Sequence, residues 1–142
     1  MRDVNLGLAV KYDNGRKPNI AINNNAVVEV HEPDNSSNNL WYCVGTPKQA
    51  TVDWGDSHHY DQGTSPAVAL NNKNVAVEVH VSEWHQLWYR VGTVSGKSKS
   101  VSWGDSRKYD EGMSMSPRVA VNDDGVVVEV HQSQEEDTLW HH

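Results

Sequence analysis

A glutamate and a histidine two residues apart occur three times in this sequence, as Glu29 and His31, Glu78 and His80, and Glu129 and His131, each time within the phrase VEVH. On a strand, alternate side chains leave the same face, so each pair sets a hydrogen-bond acceptor beside a donor. The phrase WGDS occurs twice, as Trp54, Gly55, Asp56 and Ser57 and as Trp103, Gly104, Asp105 and Ser106. Each copy holds an aromatic plate close to a carboxylate and a hydroxyl. Sugars present C–H-rich faces and hydroxyl edges, and a plate beside fixed polar atoms suits them. A second tryptophan set, Trp41, Trp88 and Trp140, follows a leucine in each copy, with Tyr89 and Arg90 adjoining Trp88. The glutamates and histidines of the second and third VEVH phrases, both WGDS sets, and Trp88, Tyr89 and Arg90 are the candidate sugar-binding residues.

Each set also has a structural reading. A tryptophan that recurs once per repeat serves packing between units as readily as it serves a ligand, so one of the two sets is expected to be structural. The glycine and short polar pair after Trp54 and Trp103 favour that set as the ligand-facing one. The Glu-His pairs either contact sugar hydroxyls or satisfy each other's polar groups between buried units. Six tryptophans with no phenylalanine fit a choice of amphipathic rings.

Catalysis is not expected. A glycosidase sets two carboxylates across one cleft, whereas an identical glutamate in every repeat suits a repeated site. No Ser-His-Asp arrangement or glycine-rich phosphate loop is recognisable. The histidines recur too far apart for the short ligand spacing of a zinc site. The phrases YDNG, YDQG and YDEG read as Asp-x-Gly turns rather than calcium loops. No metal or cofactor is therefore expected, and the terminal His141 and His142 are given no role as ligands.

Twelve Lys and Arg against nineteen Asp and Glu leave a formal charge of −7, the opposite of the basic footprint that nucleic acid requires. No stretch approaches the roughly 20 apolar residues of a membrane span, and no secretory signal opens the sequence. The expectation is a soluble protein, cytoplasmic or released by a non-classical route. The single cysteine, Cys43, excludes an internal disulfide and reads as a small core residue. Eight histidines, titrating near an unperturbed pKa of about 6.5, are expected to weaken binding or assembly in acid.

The elements that must position these residues come from self-comparison. The Tyr-Asp, VEVH and Leu-Trp phrases all recur at an interval of about 49 residues. The chain thus reads as one repeat domain, 1–142, with units at about 1–49, 50–98 and 99–142. The middle unit shows four runs of strand character, TVDWGDS, AVALN, VAVEVHV and LWYRVGTV, bounded by Gly, Pro, Asn, Asp and Ser. No run has a sustained helical period, so the fold class is all-β. In the third run Val75, Val77, Val79 and Val81 alternate onto one face, while Glu78 and His80 hold the other. Since that second face also recurs between units, both faces are expected to be covered, as in the stacked four-stranded blades of a β-propeller. A β-trefoil, which also has three four-stranded repeats, is the alternative. Three blades cannot close a ring of about four to eight. Two chains supply six, so a homodimer is expected.

The phrases VDWGDSHHYDQG, SPAVALNN, VAVEVHVS and LWYRVG, in this order, resemble the blade repeat of the Photorhabdus-type bacterial lectins, and the resemblance covers essentially the whole chain. It implies a seven-bladed propeller architecture with shallow sites between blades for L-fucose and related, sometimes O-methylated, sugars. It also implies metal-free, multivalent binding of glycans. This sequence has three units where that family has seven. Its first unit reads NLGLAVKYD in place of WGDSxxYD, with Leu6 at the tryptophan position and Ala9 at the serine position. The other expectation, from a different class, is a non-sugar interaction scaffold or a toxin-targeting module.

Overall fold

Valine-rich runs with alternating polar positions become strands throughout the computed structural model, which describes residues 3–142. Among these residues the chain forms thirteen strands and no helix. The first antiparallel sheet runs β1 (Arg16–Ile22), β2 (Val27–Glu32), β3 (Asn39–Pro47). Its outer edge is shared by β4 (Val52–Trp54) and β5 (His58–Gln62), both paired with β3. The second repeats this order with β6 (Thr64–Leu70), β7 (Val75–Val81) and β8 (Leu87–Ser95), edged by β9 (Ser100–Trp103) and β10 (Arg107–Asp110). The third consists of β11 (Ser114–Val121), β12 (Val127–Ser133) and β13 (Leu139–His141). Among the described residues these sheets form neither a barrel nor a closed ring.

The sheets are out of phase with the repeats as read from sequence. Boundaries at 49/50 and 98/99 fall between β3 and β4 and between β8 and β9. The WGDS and Tyr-Asp phrases therefore edge the preceding sheet. Each sheet is completed by residues of the next repeat, and adjacent repeats are linked by main-chain hydrogen bonds as well as by packing.

The first strands of the three sheets, β1, β6 and β11, lie side by side. Each carries a bulge, where Lys17, Ser65 and Ser116 adopt φ of 50, 52 and 55° just before a proline. The three bulges meet around a cavity of about 360 Å³ that Lys17, Asn19, Met115 and Arg118 also line. Between the first two sheets the core consists of Val28, Val30, Leu40, Tyr42 and Val44 against Val68, Ala76, Val94 and Val101, with Tyr60 among them.

Asparagines key neighbouring sheets to one another. Asn23, Asn71 and Asn122 occupy the same turn of each inner hairpin. The Oδ1 of Asn71 accepts from the backbone N–H of Lys73 (3.0 Å) and Val75 (2.9 Å), which holds the turn. Its Nδ2 donates to the Asn122 carbonyl of the third sheet (3.2 Å), as Asn23 Nδ2 donates to the Asn71 carbonyl (2.8 Å). Asn71→Ala removes three hydrogen bonds at a buried position and should cost about 2 kcal/mol. Urea unfolding of the variant checks this, and an unchanged midpoint contradicts the keying role.

Candidate functional site

The Glu and His of each VEVH phrase point from the middle strand of a sheet into its packed face, where an unpaired charge is costly. Glu29, Glu78, Glu129 and their histidines are all buried. Each is paired in the same way. His80 Nδ1 lies 3.0 Å from Glu78 Oε2, and the corresponding separations are 2.9 Å for His31 with Glu29 and 3.1 Å for His131 with Glu129. Tyr60 Oη, from the edge strand β5 of the first sheet, donates to Glu78 Oε1 of the second at 2.8 Å. The other face of each imidazole, Nε2, looks onto the aspartate of the Tyr-Asp phrase, 3.8 Å from Asp13 and Asp61 and 3.9 Å from Asp110.

The aspartates of the three Tyr-Asp phrases hold the backbone that follows them and also face the histidines. Asp13 Oδ1 accepts from Asn14 N–H (2.7 Å), Asp61 Oδ1 from Gln62 N–H (2.8 Å) and Asp110 Oδ1 from Gly112 N–H (2.6 Å), while each Oδ2 faces the histidine. A Cβ at Gly15 would lie 2.5 Å from His31 Cδ2, and one at Gly63 would lie 2.7 Å from His80 Cδ2. These glycines let the turn sit against the imidazole. A fourth group approaches each aspartate from the third strand of the sheet. It is Cys43 Sγ at 3.6 Å, Arg90 Nε at 3.0 Å and His142 Nε2 at 2.9 Å.

Beside this network opens a cavity of about 280 Å³ in the second sheet, lined by Asp61, Gln62, His80, Trp84, Trp88 and Ser106 among others. A cavity of the same size stands at the matching place in the first sheet, lined by Asp13, Asn14, Asp34, Asn35, Trp41 and Ser57 among others. Ser106 Oγ and Trp88 Nε1 are buried polar atoms without hydrogen-bond partners. An indole, a carboxylate and a hydroxyl thus converge on one opening, and they do so twice; in the second sheet the His80 imidazole joins them.

Of the residues singled out from sequence, Trp88, His80, Ser106 and Ser57 line these cavities. Arg90 stands behind, paired with Asp61 and donating from Nη1 to the Tyr60 carbonyl at 2.7 Å. Glu78 and Glu129 lie beneath their histidines. Trp54 and Trp103 take a packing position, stacked on Tyr12 (4.9 Å between centroids) and Tyr60 (5.5 Å). Asp56 and Asp105 are exposed on the same edge. Tyr89 lines a different cleft, between the second and third sheets, with Glu129. His131 belongs to the third copy of the network. Asp61, Asp13, Gln62 and Trp84 are not among the residues singled out from sequence, and Trp41 is named there only as a member of the second tryptophan set. The aspartates carried a usable signal, since Tyr-Asp recurs as faithfully as VEVH.

One grouping has the composition of a cation site. Single ligand atoms of Asp110, His131 and His142 lie within 4.8 Å of one another. In the second sheet the same position holds Asp61, His80 and Arg90, where a guanidinium takes the place of the His142 ring. The common element is thus an acid with a cationic or polar partner. Cys43 is a buried core residue, as expected; burial, with the charges of Glu29 and Asp13, pushes its thiol up to about 12.

Burial opposes protonation of His80, but the Glu78 carboxylate and then Asp61 outweigh it, so its pKa lies above the ordinary value. His31 is raised in the same way, its burial outweighed by Glu29 and Asp13. A raised folded pKa gives stability that is complete below the unfolded value of about 6.5 and is lost as pH rises through the folded value. For these two residues acid therefore strengthens the fold. The urea midpoint should be higher at about pH 6 than at about pH 8.5, and His80→Gln should reduce that difference. An equal slope in the variant contradicts this assignment.

No protein-family model matches the chain, and no curated protein matches it.

Proposed function

We propose that this protein is a carbohydrate-binding protein with a shallow site repeated from sheet to sheet. The observation that carries the reading is the recurrence of one cavity, lined by an aspartate, a tryptophan and a serine, in the first and second sheets, with His80 added in the second. An indole face covers the C–H surface of a sugar ring, while Asp61 accepts from hydroxyls and the unpartnered Ser106 Oγ and Trp88 Nε1 offer further polar contacts. The cavity is open and suits one terminal residue of a glycan. Sites of that kind are individually weak, and several on one surface gain avidity without new contacts. The sequence resemblance favours L-fucose and its O-methylated relatives as ligands.

The same reading takes the three sheets as blades of a propeller. Their inner strands adjoin around a common cavity, and the faces between sheets bury recurring small and branched residues. A ring completed by a second chain would then present its sites together.

A glycan array that includes fucosylated and O-methylated sugars tests the reading. The expected result is binding to one terminal sugar, competed by the free monosaccharide. Trp88→Ala and Ser106→Ala should lose at least tenfold in affinity with the fold retained. Trp103→Ala should instead lower stability, by about 3–5 kcal/mol as for other large-to-small core changes. A silent array with a folded protein contradicts the proposal.

A further inference from the structure

The second and third sheets enclose an apolar cleft of about 250 Å³, lined by Val77, Val79, Tyr89, Tyr109 and Val127, with Glu129 at its base. The equivalent space between the first and second sheets is full. There Val101 and Trp103, on the edge strand β9, pack against Tyr42 and Tyr60. The third sheet has no such edge strand among the described residues. In the repeat, the residues that match Val101 and Trp103 of the missing strand are Val4 and Leu6. Residues 4–11 make no strand in their own chain, and Val4, Leu6, Leu8 and Val10 are 72 to 95% exposed.

We propose that residues 10–13 of a second copy of this chain pair with β13, and that the segment before them places Val4 and Leu6 in this cleft, covering the open edge of the third sheet. The inference rests on reading the sheets as half of a ring closed by two chains. The register follows from the two sheets that have their edge. Tyr42 pairs with His58 and Tyr89 with Arg107; Trp41 pairs with His59 and Trp88 with Lys108. Carried to the third sheet, His141 pairs with Val10 and Trp140 with Lys11 of the partner copy. An unpaired strand edge is a ready template for such addition.

The end faces of the chain agree. Val128 and Val130 of the third sheet are 49 and 48% exposed, where Val28 and Val30 are fully buried by the second sheet and Val77 and Val79 nearly so. On the first sheet Ile20 and Ile22 are 59 and 63% exposed, while Val68, which matches Ile20, is 4% exposed. The face left open at one end of the chain is the kind that covers the face left open at the other. Because the two faces differ, the contact is head to tail, and with two copies it closes. Asn122, which keys no further sheet among the described residues, is set to donate to the Asn23 turn of the partner.

Light scattering on the 142-residue chain should give twice the 15.9 kDa chain mass. Leu6→Asp leaves an exposed position of the single chain but puts a charge in the cleft, and should return the protein to the single-chain mass with an unchanged circular dichroism spectrum. Val10→Cys with His141→Cys should yield a covalent dimer on a non-reducing gel. A monomeric wild type overturns both the ring and the docked segment. A wild-type dimer that survives Leu6→Asp and fails to cross-link overturns the docked segment alone. Neither readout involves a sugar, so failure here is separable from failure of the carbohydrate reading.

Discussion

Every sheet in this protein buries a carboxylate. Glu29, Glu78 and Glu129 sit on middle strands, in faces otherwise made of valine and alanine. Such a charge costs several kcal/mol unless it is paired and hydrogen-bonded. The imidazole two residues on, presented to the same face by the strand period, answers part of that need. The rest comes from a tyrosine on the edge of the preceding sheet, as Tyr60 reaches Glu78. The bond therefore joins the first two sheets, and it ties Tyr60, Glu78 and His80 to one another.

The remaining features follow from that constraint. Tyrosine must stand on an edge strand that belongs to the previous sheet, so the repeat boundary and the sheet boundary differ. Its neighbour, the aspartate, then falls beside the imidazole Nε2 and uses one oxygen to accept from the following backbone N–H and the other to face the ring. In the first two copies the glycine two residues on is required, because a side chain at Gly15 or Gly63 would strike the histidine. With Nδ1 engaged by glutamate and Nε2 facing aspartate, the imidazole is held as a fixed wall. The cavity beside Trp88 and Ser106 is thus built by groups whose first task is to keep a buried charge satisfied.

Much of this was legible in the sequence. The VEVH phrases announced a strand with two covered faces, as β2 and β7 have, the recurrence announced the repeated sheets, and Cys43 read as core. What was not legible depends on contacts between residues far apart in the chain. A period has no phase, and nothing local says that residues 52–62 pair backward with β3 rather than forward with β6. The two tryptophan sets have the same chemistry. They are separated only by Tyr12 and Tyr60, which stack on Trp54 and Trp103 from about 42 residues earlier in sequence, as the repeat interval dictates. The direction of the histidine response is likewise a property of burial beside glutamate, which composition does not carry.

The most direct test of the account follows the six indole N–H signals of the protein by heteronuclear NMR while L-fucose is added. The account predicts that the Trp88 and Trp41 signals move with a common saturating dependence on sugar, while those of Trp54 and Trp103 stay in place. Movement of Trp54 and Trp103 alone would return the ligand to the WGDS edge and leave the repeated cavity without a role. Six unmoved signals, with fucose and its O-methylated forms alike, would contradict carbohydrate binding at this site.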